Sequence, residues 1–371
     1  MPKILQTCPA GPIGKSAPAR PARYNVDMPE VTPTATADLL RSCTLCPRRC
    51  GNNRTTGQPG YCRAGDRAKL ARAALHFGEE PCLSGARGSG AVFFTHCNLR
   101  CVFCQNYPIS QGGEGREIPT TDLTDVFLRL QGEGAHNINL VSPTPYSPMI
   151  VEAVAGARRR GLRLPIVHNS NGYETVEAIE LLCGTVDVYL PDLKYGPEAG
   201  LAAAAAGATG AAVSAATAHD YSVPRRSPAS LKYSGAPHYF EVASTAIAAM
   251  AAQVGPAQFD DEGMIRRGVI VRHLVMPGMV EDSKRVLRWI KNKLPEGVLL
   301  SLMSQYTPLH RASRYPEIDR RLTLAEYGEV LDFCVDIGLT DGFAQDLSSA
   351  GEAAIPPFDL TGVFGRKGSP E

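Results

Sequence analysis

Residues 91–108 read AVFFTHCNLRCVFCQNYP. The run opens as a short β-branched and aromatic strand and then places Cys97, Cys101 and Cys104 within eight residues. Reactive loops of α/β barrels sit after the C-terminal ends of strands, and Cys97 falls just past the end of AVFFT. The spacing C-x3-C-x2-C differs from ferredoxin runs, where a fourth cysteine completes each cubane. Zinc would also want a fourth ligand: His96 is too close along the chain to share an ion with Cys97, and Asn98 and Gln105 are poor ligands. Three thiolates around a 4Fe-4S cluster leave one iron open. S-adenosylmethionine can chelate such an iron through its amino and carboxylate groups, which sets its sulfonium beside a reducing centre.

Outward from this run, short apolar stretches alternate with segments of helical period, the pattern of repeated βα units around a parallel sheet. Six strands are expected: AVFFT at Ala91, NINLV at Asn137, LPIVHN at Leu164, VDVYL at Val186, GVIVRHLVM at Gly268 and VLLSLM at Val298. Helices are expected from Pro148, Thr175, Val280 and Thr323. In the last, Thr323 and Glu326 suit a capping box, and Leu324, Tyr327, Leu331 and Val335 form one apolar stripe with Cys334 beside it. Cys183 and Cys334 read as small core residues. Six units are too few to close an eight-stranded barrel. The fold class expected is therefore α/β, a partial (β/α)6 TIM-like barrel with an N-terminal cysteine-rich segment.

The 371 residues, 44% hydrophobic and 20% charged, are enough for a full core, and a formal net charge of +1 does not point to nucleic acid. No apolar run approaches the roughly 20 residues of a membrane span. Eleven cysteines in local clusters argue for metal ligation in a reducing compartment, hence a cytoplasmic location, with organellar import left open by the basic, proline-bearing leader. The chain is expected to divide into a disordered leader (1–40, containing Cys8), a cysteine-rich segment (41–85), the barrel (86–350) and a C-terminal tail (351–371). An alanine-rich insertion at about 196–230 lacks a coherent apolar face.

A second group, CTLCPRRCGNNRTTGQPGYC, supplies Cys43, Cys46, Cys50 and Cys62. Four thiols in a glycine- and proline-rich loop suit zinc or a second iron–sulfur cluster, and spacing alone leaves both open. Cys82, in GEEPCLSG, reads more readily as a buried small residue than as a further ligand.

With these motifs in view, the sequence resembles the radical SAM superfamily. The runs HFGEEPCLSG, GAHNINLVSPTP, VDVYLPDLKY and VRHLVMPG, together with both cysteine groups, resemble its pyruvate formate-lyase activating enzyme (PflX-like) branch over roughly residues 43–346. The resemblance implies a 4Fe-4S cluster on Cys97, Cys101 and Cys104 and reductive cleavage of S-adenosylmethionine to a 5'-deoxyadenosyl radical. It implies Phe103 against adenine, and Asp192, Lys194 and Arg272 holding the cofactor. Where activating enzymes carry a GGE-type run, this chain has Ser142, Pro143, Thr144 and Pro145, so the Ser142 and Thr144 hydroxyls would have to receive the ammonium. Gln305 and Tyr306, at the sixth strand end, would face substrate. The implied partners are a low-potential electron donor and a glycyl radical enzyme or other protein substrate. Radical modification of a small molecule or RNA, and a non-catalytic electron-transfer module, are the rival readings.

Overall fold

The structure is a computed structural model, and it describes residues 38–197, 229–347 and 355–363. Residues 1–37 of the leader, with Cys8, and most of the alanine-rich insertion lie outside the described residues, whereas residues 38–40 are helical and Leu40 is buried in the core, not disordered as expected. The strands are β1 (Ala68–His76), β2 (Ser89–Phe94), β3 (Arg116–Ile118), β4 (Ile138–Val141), β5 (Ile166–Ser170), β6 (Val188–Pro191), β7 (Gln258–Phe259), β8 (Ile265–Leu274), β9 (Leu299–Met303) and β10 (Gly342–Ala344).

All six expected strands form, and they pair parallel in the order β2, β4, β5, β6, β8, β9. The reason is composition: β2 and β4 are buried along their whole length, as strands covered by helices outside and by the barrel interior inside must be. The helix Val280–Lys293 shows the covering geometry. Val286, Leu287 and Ile290 are buried, while Glu281 and Asp282 in the first turn and Lys291 and Lys293 in the last complement the helix dipole. The sheet does not close. It is a partial TIM-like barrel, running from β10 at one edge to β1 and β3 at the other.

Four strands extend the expected set. β1, inside the segment 41–85, pairs antiparallel with β2, so that segment contributes to the sheet itself. The stretch 355–363 lies along β1: Leu360 N–H donates to the Ala71 carbonyl and Ala73 N–H to that of Thr361. Phe358 meets Phe93 edge-on at 5.8 Å.

The helix Leu324–Asp336 carries the expected capping box, but its buried face is Tyr327, Val330 and Cys334. Leu324 and Val335 are exposed, so the apolar stripe is rotated from the expected one, onto the i, i+3, i+7 positions Tyr327, Val330 and Cys334. Cys334 is thus central to the core. Cys183 differs from expectation in the other direction: it lies just past the end of the helix Val176–Leu181 and is only half-buried. Cys82 is fully buried.

Candidate functional site

At the C-terminal ends of the parallel strands lies a cavity of 880 Å³. Cys97, Cys101 and Cys104, on the loop after β2, all line it. Backbone bonds fix this loop independently of the sulfurs: Arg100 N–H donates to the Ser234 carbonyl, Val102 N–H to that of Tyr233, and Arg311 N–H to that of Val102. Burial pushes the Cys101 thiol up to about 12, and Cys97 and Cys104 push in the same direction, while Lys194 opposes them. Cys104 is raised for the same first reason. Burial thus favours the neutral thiol at Cys101 and Cys104, and loading them with metal is coupled to proton release.

Each sulfur has a polar neighbour that spacing could not reveal. The Asn171 amide donates to Cys97 Sγ at 3.2 Å, Ser234 Oγ lies 3.0 Å from Cys101 Sγ, and Ser110 Oγ lies 3.2 Å from Cys104 Sγ. The signal for Asn171 was present in the polar run HNSNG that ends β5, where an apolar core strand gives way to amides and a hydroxyl.

Phe103, Ser142, Asp192, Lys194, Arg272, Gln305 and Tyr306 also line the cavity. The Phe103 ring packs on Tyr306 at 5.6 Å, and the Tyr306 hydroxyl donates away from the cavity to the Ile318 carbonyl. Lys194 is ion-paired to Asp192. Burial disfavours its charge, but Asp192 and the nearby cysteines more than offset this and hold its pKa above the ordinary lysine value. Thr144 is not brought to the cavity. Its hydroxyl donates to Glu174 at 2.9 Å, in a buried network with His168 and Ser170. Arg272 has two buried partners the sequence reading did not include: it bonds Glu80 through Nε at 2.8 Å and Nη2 at 2.6 Å, and pairs with Glu79.

Residues 91–220 match the sequence model of the Radical SAM superfamily. That match supports the radical SAM superfamily for this chain. The superfamily indicates an enzyme and implies a 4Fe-4S cluster with S-adenosylmethionine. The chain is also similar to the uncharacterized protein MJ0674 of Methanocaldococcus jannaschii, at 29% identity over 304 residues, 80% of this chain and 75% of that protein. Among solved structures it is similar to Streptococcus suis SuiB bound to precursor peptide SuiA, with a TM-score of 0.43 and 12% identity over 68% of this chain and 47% of that one. It is likewise similar to SuiB bound to S-adenosylmethionine, with a TM-score of 0.39 and 13% identity over 68% and 45%. The chain thus spans less than half the length of SuiB.

Within the segment that matches that model, Gly172 holds the β5 loop against β6. Its φ is +73°, and an added Cβ would stand 2.2 Å from the Asp192 carbonyl oxygen. Gly172→Ala is therefore expected to cost about 2 kcal/mol or more through left-handed strain and backbone overlap. Chemical denaturation measures that loss, and an unchanged midpoint would contradict the packing described.

The second cysteine group lies ahead of the barrel and touches it. Arg48 donates to the Asn98 carbonyl at 3.1 Å and stacks on Tyr61 at 3.8 Å. The Cys46 thiol is pushed up to about 12, first by burial, with Cys62 and Cys43 adding to the effect and a contact to Asn98 opposing it. Cys62 is raised by burial too, and Cys43 and Cys50 are close enough to contribute. No group of three or more His, Cys, Asp or Glu among the described residues stands ready to hold a single ion. No helix among the described residues is long and apolar enough to cross a membrane.

Proposed function

We propose that this protein reductively cleaves S-adenosylmethionine at a 4Fe-4S cluster held by Cys97, Cys101 and Cys104, and passes the resulting 5'-deoxyadenosyl radical to a substrate in the manner of a glycyl-radical-enzyme activating enzyme. The observation that carries this reading is three thiols on one strand-end loop, lining an 880 Å³ cavity with no fourth cysteine beside them in that lining. When bound, the cluster supplies an open iron for chelation and an electron for the sulfonium S–C bond.

The chain's own residues would do the rest. Phe103 offers a ring face to adenine, and the Ser142 hydroxyl offers an acceptor to the ammonium. Lys194, which has N–H donors beyond the one it gives Asp192, is the cation for the cofactor carboxylate, whereas Arg272 is held between two carboxylates, Glu79 and Glu80. The Thr144 hydroxyl serves Glu174 and takes no part. Asn171, Ser234 and Ser110, by hydrogen bonding to the ligand sulfurs, would set the potential at which an external low-potential donor must deliver its electron. The motif runs shared with the activating-enzyme branch favour a protein substrate over a small molecule or RNA.

Anaerobic reconstitution followed by dithionite reduction tests the reading, with 5'-deoxyadenosine and methionine expected in equal amounts. A fully loaded chain that forms neither would sink it. For Cys43, Cys46, Cys50 and Cys62 we propose a metal site that is either a zinc scaffold or an iron–sulfur relay. The triple variant lacking Cys97, Cys101 and Cys104 is expected to retain metal there. Elemental analysis separates the cases: zinc alone supports the scaffold, iron with sulfide supports the relay, and no metal refutes both.

A further inference from the structure

Glu174, in the loop between β5 and the helix Val176–Leu181, is a buried carboxylate that the chemistry above leaves unused. It is 1% exposed and lies outside the cavity lining. It accepts from the Ser170 hydroxyl at 2.6 Å and the Thr144 hydroxyl at 2.9 Å, and it pairs with His168 Nε2 at 2.8 Å. Burial alone would raise its carboxyl, but His168, Ser170 and Thr144 hold it below the ordinary carboxylate value, so the group is ionised at neutral pH. A buried charge is costly unless every partner stays in place, so the carboxylate fixes the residues that serve it.

The effect reaches the cysteine loop through Asn171. Ser170 and Gly172 flank that residue, and the Ser170 hydroxyl that donates to Glu174 also accepts the Gly172 N–H at 3.2 Å. The Asn171 side chain then has one orientation. Its Oδ1 accepts the Tyr173 N–H at 2.9 Å, so its Nδ2 faces the cysteine loop, where it donates to Asn98 Oδ1 at 2.7 Å and to Cys97 Sγ at 3.2 Å. Asn98 Nδ2 returns a bond to the Tyr173 carbonyl at 2.7 Å, which stitches the two loops together. Leu99 N–H also donates to Cys97 Sγ, at 3.4 Å, but it belongs to the cysteine loop itself. Asn171 is the donor that a second strand's loop brings to this sulfur, and Glu174 lies at the root of that loop.

We infer that Glu174 is a positioning residue for the cluster site: by holding Ser170 and, through it, Gly172, it aims the Asn171 amide at Cys97 Sγ and so sets how readily the centre held there accepts an electron. The inference rests on the radical SAM reading above and adds to it a residue that touches neither sulfur nor cavity. A donor to a ligand sulfur favours the more negative, reduced state, so weakening that donor lowers the reduction potential.

The test is an EPR-monitored reductive titration of the anaerobically reconstituted full chain, as wild type, Asn171→Ala, Glu174→Gln and the double variant. The signal that changes on adding S-adenosylmethionine identifies the centre at Cys97. Glutamine has one acceptor oxygen in place of two and cannot serve all three partners. Glu174→Gln is expected to leave about tenfold less reduced centre at a fixed donor potential, a shift of about 59 mV to lower potential for a one-electron couple. Asn171→Ala is expected to shift the potential in the same direction. In the Asn171→Ala background, Glu174→Gln should add nothing, because both act through one hydrogen bond. Ser170→Ala breaks the same link with a smaller change and is expected to reproduce the shift, so it decides the matter if Glu174→Gln does not fold. A Glu174 with only a structural role would lower the denaturation midpoint and leave the potential unmoved. That result, an additive double variant, or Asn171→Ala at the wild-type potential would overturn the inference. Cleavage of S-adenosylmethionine by the wild type, measured in parallel, separates the failures: cleavage with unmoved potentials removes only the role of Glu174, whereas no cleavage by a fully loaded chain removes the radical SAM reading and the inference with it.

Discussion

Replacing Cys97, Cys101 or Cys104 singly with alanine is expected to lower 5'-deoxyadenosine formation by more than about a hundredfold, since even the outer-shell partners of metal sites act on that scale. The loop should survive the change. Its position is set by backbone bonds from Arg100, Val102 and Arg311 and by packing of Leu99, Val102 and Phe103 into the main core, none of which uses a sulfur. Folded, soluble variants with diminished iron and sulfide are therefore the expected preparation, with product quantified by chromatography after dithionite reduction. A variant that retains cleavage near the wild-type level would remove the three cysteines from the chemistry.

The second large effect concerns Arg272. Its side chain is 11% exposed and lies between Glu79 and Glu80, which are more deeply buried still. Arg272→Met keeps much of the volume but leaves two buried carboxylates without their cation, a change expected to cost about 3–5 kcal/mol at neutral pH. The pH dependence carries a specific sign. Burial alone would raise the Glu80 carboxyl, and Arg272 overrides it to hold the pKa below the ordinary value. A depressed folded-state pKa contributes stability above the unfolded value of about 4.3, and that stability is lost as pH falls through the folded value. In the variant burial is opposed only by the hydrogen bonds from Ser301 and the backbone, so Glu80 protonates at higher pH and the cost of burying it falls on acidification. The stability gap between the two proteins should accordingly narrow from pH 7 towards pH 4 in urea titrations. A gap that is constant with pH would mean that Arg272 acts through packing and not through charge.

Two clusters of residues show where sequence reading reached and where it stopped. Cys97, Cys101 and Cys104 lie within eight positions, and the apolar strand before them is continuous, so local spacing was sufficient to place three thiols at a strand end. The six parallel strands were legible for a related reason, because strands covered on both faces must be apolar along their length. Strands β1 and β3 lack that signature: β1 alternates charged and apolar residues with alanines, and its place is decided by pairing with β2 and β3.

The partners of charged groups were not legible at all. Arg272 was visible as a strand-end cation, but Glu80 is 192 positions away from it, and only the fold brings the β1 exit across the barrel to meet β8. Thr144 and Ser142 are two residues apart with the same hydroxyl chemistry. One meets Glu174 and the other the cavity, a difference set by the direction each takes out of the turn after β4. The sequence by itself determined the six parallel strands of the core, the cysteine loop and the chemistry its thiols can support, because those follow from local period and spacing. Which carboxylates meet which cations was decided only in the tertiary structure, since electrostatic pairing depends on distance in space and the chain brings its distant segments together only on folding.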